Sequence, residues 1–283
     1  MVDPAGAAPG GGRGASAEGL DELLSPPAMS SATRAVFLMA HEALERVLPF
    51  DVKAYRADRI GPRDTLIRPI ATEIARWFGV GQLEIYATAA APRVCVPVDG
   101  NPVTLLIGAD LLNIRDEREK AFILTRAVKI ATLQMSVAIR AQPSDFVLAM
   151  AGLVNSYDPN YEPKGLDPGR VADAARRVAK YVPRKFRDQL QPLVFEMAGR
   201  PGYDPATLAM GASELGDRVA LVAIGSMPAA VGALARLSGE ELPAEPAARM
   251  ALVRRHPEIA ALVRFAISDE HFEARRRAGV DPA

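Results

Sequence analysis

From Ser31 the apolar residues Val36, Phe37, Ala40, Leu44 and Val47 recur at steps of three and four, and Pro49 ends the run. That spacing lines one side of a helix with apolar groups. A second helix is predicted from Asp64 through Phe78, with Asp64 as its cap and Gly79 as its stop. The period then changes. Leu83-Glu84-Ile85-Tyr86, Val94-Cys95-Val96 and Val103-Thr104-Leu105-Leu106-Ile107 are short β-type runs, and Asp99-Gly100-Asn101-Pro102 reads as a hairpin turn between the last two. The three runs predict a small antiparallel sheet.

After Asp116 the helical period returns. One long helix is expected from Asp116 to Arg140, with Ala121, Phe122, Leu124, Val128, Ile130 and Leu133 on a wide apolar face. Further helices fit 144–156, 168–181, 184–199, 205–225, 228–238, 245–253 and 257–267, with proline marking most of the breaks between them. No repeat at solenoid spacing is visible. The expected class is α+β, mostly helical, with the small sheet packed against the long central helix. Residues 1–30 read as a flexible leader, with Gly10-Gly11-Gly12 offering nothing to pack and Pro26-Pro27 stiffening the approach to the first helix. Such a leader equally suits a linker within a longer protein. The main domain is expected over 31–240, with a helical extension over 241–283 packed on it.

Composition narrows the function classes. Of 283 residues, 49% are hydrophobic and 24% charged, which suits a packed core and excludes a disordered or fibrous chain. Lys+Arg 34 against Asp+Glu 34 leaves no net charge, so nucleic acid is not the partner that electrostatics suggest. The single Cys95 excludes an internal disulfide and a multi-thiolate zinc knuckle. Met1 to Ser16 has no apolar core and is not a secretory signal. The uncharged stretch Val219 to Ala235, between Arg218 and Arg236, is short for a membrane span and holds Pro228. It reads as the end of one buried helix and the start of another. No membrane span and a cytoplasmic location are expected.

Three candidate chemistries stand out. His41-Glu42-Ala43-Leu44-Glu45 begins like HExxH, but the fifth residue is Glu, and a zinc site of that design needs two histidines one turn apart. Cys95 lies between Val94 and Val96, the setting of a small buried hydrophobe. A basic cluster of Arg170, Arg176, Arg177, Lys180, Arg184, Lys185 and Arg187, partly offset by Asp173 and Asp188, suits either a solvated helix face or an anion site. Neither a Gly-rich phosphate loop between strand and helix nor a Ser-His-Asp order is present.

The stretch from the sheet into the long helix resembles the core of HtpX-type zinc metallopeptidases, a gluzincin family. There a long helix carries HExxH in a pattern like E-L-x-A-V-L-A-H-E-x-x-H. Here the similar segment is Glu119 to Ile130, and Gly108-Ala109-Asp110-Leu111-Leu112 resembles the small-residue turn and Leu-rich helix before it. By this resemblance Arg126 stands at the first ligand histidine, Ala127 at the general-base glutamate and Ile130 at the second histidine. The family's third ligand comes from a helix bearing E-x-x-A-D-R. Ser213-Glu214-Leu215-Gly216-Asp217-Arg218 is similar, with Ser213 at the ligand position and Glu214 one step off, turned about 100° around the helix. The tail Leu262 to Phe272 resembles the ends of long multidomain proteins of GC-rich bacteria.

The resemblance covers roughly residues 35 to 240. It implies a zincin-like frame without metal, cofactor or catalytic residue: a pseudopeptidase-like domain for protein interaction or scaffolding, with an unspecified protein partner. A possible polar groove would gather Arg126, Lys129, Glu214 and Asp217. Two alternatives stay open. One is a hydrolase using Glu214, Asp217, His41 or Glu42. The other is an anion-binding module on Arg176, Arg177, Lys180, Arg184 and Lys185.

Overall fold

The β-type runs pair in a way their alternation alone does not dictate. In the computed structural model, which describes residues 15–280, β1 (Asp58–Arg59), β2 (Leu83–Thr88), β3 (Cys95–Val98) and β4 (Val103–Gly108) form one four-stranded sheet in the order β1-β2-β4-β3. The hairpin is present: β3 and β4 are antiparallel, with Cys95 opposite Ile107 and Val98 opposite Thr104. However, β2 runs parallel to β4, from Leu83 beside Val103 to Thr88 beside Gly108. The sheet is therefore mixed rather than antiparallel throughout. Residues 89–102 are enough chain to carry β3 to the outer side of β4 and return β4 in the direction of β2. Leu105, Leu106 and Ile107 are all buried, so β4 is covered on both faces, and such a run carries no alternation from which to read direction.

The chain is α+β and mostly helical. Its contacts divide it into two units, one of Met1–Ser25, Val52–Thr132 and Glu214–Ala283, the other of Pro26–Asp51 and Leu133–Ser213.

In the first unit, α4 (Ala109–Leu112) follows β4, and α5 (Glu117–Thr132) packs against β3, β4, α3 (Arg68–Trp77) and α11 (Met227–Leu237). Phe122, Ile123, Leu124, Ala127, Val128, Ile130 and Ala131 of α5 are buried there. Asp64 caps the approach to α3, accepting from the amides of Leu66 and Ile67 at 3.0 and 2.9 Å. Arg68 ties α3 to the sheet by donating to the carbonyls of Leu83 and Ile60 at 2.9 and 2.6 Å. Residues expected at the end of a flexible leader instead form α1 (Ala15–Leu24), which contacts α14 (Asp269–Arg277). Leu24 is buried, and Asp21 pairs with Lys129 of α5 at 2.9 Å. Gly10-Gly11-Gly12 and the rest of 1–14 lie outside the described residues. The extension becomes α12 (Pro246–Arg255), α13 (Pro257–Ala266) and α14.

In the second unit, α2 (Ser31–Val47) packs on α6 (Ser136–Arg140), α8 (Pro168–Tyr181) and α9 (Arg187–Ala198), and α7 (Pro143–Asn155) packs on α8 and α9. Phe37 and Phe146 stack with ring centroids 6.3 Å apart. Arg140 donates to the Leu48 carbonyl at 2.9 Å and pairs with Glu45.

The long helix expected over Asp116–Arg140 is two helices, α5 and α6. Gln134 between them takes a positive φ of 57°, and no proline or glycine announces the break. α10 (Pro205–Ile224) starts in the second unit and ends in the first. The uncharged Val219–Ala235 stretch is the end of α10 and the start of α11, whose cap is Ser226. Among the described residues no helix is long and apolar enough to cross a membrane.

Candidate functional site

The candidate site lies where the middle of α5 meets the second half of α10. Gly216 makes that meeting possible: a Cβ there would lie 2.9 Å from Ile130 Cδ1 and 3.1 Å from Arg126 Cγ. With only hydrogen at this position, the side chains of α5 lie directly on the α10 backbone. One residue on, Asp217 faces Arg126. Arg126 Nε donates to Asp217 Oδ1 at 2.6 Å, with the two side chains 11% and 3% exposed. Burial pushes the Asp217 carboxyl above its ordinary value, and the adjacent Arg126 pulls it back by charge and hydrogen bond. The nearby Glu214 and Glu258 carboxylates add to the upward push.

The other residues of the expected polar groove are drawn to different partners. Glu214 accepts from Arg218 Nη2 at 2.6 Å, one turn along α10, and the Arg218 guanidinium lies 4.7 Å from the centre of the Phe265 ring. Lys129 pairs with Asp21 and sits 5.9 Å from the centre of the Phe78 ring. Ala127 and Ile130 are buried in the helix packing. Ser213 is half-buried, one turn before Asp217 on α10.

A second ion pair on α5, between Glu119 and Arg236 of α11 at 2.7 Å, is not signalled by any motif. Gly232 again sets the approach, since a Cβ there would lie 2.4 Å from Glu119 Oε1. Long-range pairs of this kind join residues far apart in the chain, 91 positions for Arg126 and Asp217 and 117 for Glu119 and Arg236, and no local spacing reveals them. Cys95 is buried in β3, and burial pushes its thiol up to about 12 against the opposing pull of the Arg126 charge. A thiol so held is protonated at neutral pH and a poor nucleophile.

His41 and Glu45 do not converge. The His41 ring is within hydrogen-bond distance of the Leu38 carbonyl at 2.8 Å, while Glu45 is held by Arg140. Among the described residues no group of three or more His, Cys, Asp and Glu is placed to hold a metal ion. The basic cluster is on the exposed side of α8 and in the turn to α9, where Arg176 pairs with Asp173, and Lys180 and Lys185 lie over the rings of Tyr181 and Phe186 at 5.3 and 4.6 Å.

Compared with protein-family models, curated proteins and solved structures, the chain matches none.

Proposed function

We propose that this chain is a non-catalytic domain: a peptidase-like frame whose metal-ligand positions have been replaced, acting by binding another protein. The observation that carries this reading is the buried pair of Arg126 and Asp217. Arg126 stands where the resemblance asks for the first ligand histidine, and a guanidinium has no lone pair to give a metal. Its charge repels a divalent cation, and the Asp217 carboxylate beside it is already engaged. Ala127 has no proton to move, and Ile130 offers only carbon. Zinc hydrolysis needs three ligands, an open coordination position and a base, and these positions supply none of them. The reading assumes a reducing cytoplasmic setting, in keeping with a lone buried thiol.

Metal analysis of protein purified without a histidine tag tests it. The expected result is zinc well below one equivalent and a melting temperature unchanged by chelator. Stoichiometric zinc, whose removal lowers the melting temperature, overturns it. Peptide hydrolysis that persists in chelator and disappears in Asp217→Asn would transfer support to the hydrolase alternative.

A further inference from the structure

Within the second unit, α7 and α8 approach closely. A Cβ at Gly152 would lie 2.7 Å from the Ala174 backbone, and Leu148, Ala151, Val171 and Ala174 form a buried seam between the helices. Alongside it runs an open groove of about 600 Å³, with Arg170, Asp173, Arg176, Arg177 and Lys180 on its α8 wall. Asp145 and Leu148 of α7 complete the lining. A second concavity of about 250 Å³ lies over Pro143, Val147 and Leu166 and shares Leu148 and Arg170 with the first. The two adjoin through these shared residues, the first lined mainly by charged side chains and the second mainly by apolar ones.

Arg170, Asp173, Arg177 and Lys180 stand at i, i+3, i+7 and i+10, so they form one stripe about 15 Å long. Arg176 is engaged by Asp173. Among the described residues the Arg170 and Arg177 guanidinium groups have no carboxylate partner, and Lys180 only overlies the Tyr181 ring. Their charge is therefore available to a ligand, and the shared apolar floor adds a contact that charge alone does not supply.

We propose that this composite groove docks a short acidic and hydrophobic segment of another protein. Its carboxylates meet Arg170, Arg177 and Lys180, and an apolar side chain lies over Leu148 and Leu166. Asp145 and Asp173 interrupt the row of cations, which suits a segment whose acidic positions alternate with apolar ones better than the unbroken, evenly spaced phosphates of nucleic acid. A concave groove also suits an inserted side chain better than a lipid surface. The proposal is independent of the reading of Arg126, which lies in the other unit.

Fluorescence anisotropy with a labelled peptide of alternating glutamate and leucine, about ten residues long, tests it. Saturable binding is expected, weakening as salt rises. The exposed triple variant Arg170→Ala, Arg177→Ala, Lys180→Ala should bind at least about tenfold more weakly at an unchanged melting temperature. A peptide with glycine in place of leucine should lose a similar factor on the unaltered protein, which checks the apolar half without touching the fold. Absence of binding, equal binding by the triple variant, or equal binding of the leucine-free peptide would each overturn the proposal. So would tighter binding of single-stranded DNA or of phosphatidylserine vesicles.

Discussion

Arg126 and Asp217 form the pair on which the middle of α5 is built. In a low-dielectric setting the two charges require each other. Asp217→Ala removes the carboxylate that the buried Arg126 guanidinium pairs with and should lower stability by about 3–5 kcal/mol in urea unfolding. Replacing both, Arg126→Met with Asp217→Leu, should cost much less, because two apolar side chains restore packing without a stranded charge. Two histidines give opposite pH dependences. His256 has Nε2 2.7 Å from Glu240 and Nδ1 3.1 Å from Glu258. Only an imidazolium can donate to both, and the Glu240 bond, aided by Glu258, raises its pKa above 6.5. Its stabilisation is complete below pH 6.5 and fades as pH rises through the folded value. His271 is buried edge-on against Phe265 and Phe272 at 5.3 and 5.6 Å, and burial, then the Arg275 charge, lowers its pKa. Its contribution is complete above pH 6.5 and fades as pH falls through the folded value. Melting curves across pH should therefore flatten on the alkaline side in His256→Gln and on the acid side in His271→Phe.

At the scale of elements, the breaks carry most of the information. Gln134 holds a left-handed backbone between α5 and α6, a conformation that costs an L side chain about 1–2 kcal/mol. Gln134→Gly should raise stability by up to about 1 kcal/mol in thermal unfolding, the relief partly offset by glycine's greater freedom in the unfolded chain. Gly216→Leu has the opposite sign: it forces carbon into the α5–α10 contact and should cost about 1–3 kcal/mol or more. Helices bounded by proline were legible to within a residue or two, as in α8 from Pro168 and α13 from Pro257. The α5–α6 break was not, because an apolar period continues across it and Gln134 carries no turn signature. The β3–β4 hairpin was legible from its turn residues. The parallel pairing of β2 with β4 was not, since strand direction depends on where the chain crosses and not on the composition of a buried run.

For the whole molecule, the second unit is discontinuous, with α2 supplied from residues far upstream. Val36, Phe37 and Leu44 of α2 are fully buried, and each contributes about 1.5–3 kcal/mol, together comparable to the stability of a small unit. A fragment of residues 133–213 alone should show no cooperative thermal transition by circular dichroism, and joining 26–51 to it through a Gly/Ser linker should restore one. By itself the sequence determined the helical class, the existence of the strands, the burial of Cys95 and the identity of the residues at 126, 127, 130 and 213. These follow from period, capping chemistry and side-chain type, which act over a few neighbouring positions. Only the tertiary structure decided that Arg126 meets Asp217 rather than Glu214, that Lys129 turns to Asp21, and that α2 belongs with α6 to α9. Those outcomes depend on which helices come within side-chain reach. Close approaches at residues such as Gly216 fix that reach, and no local pattern encodes it.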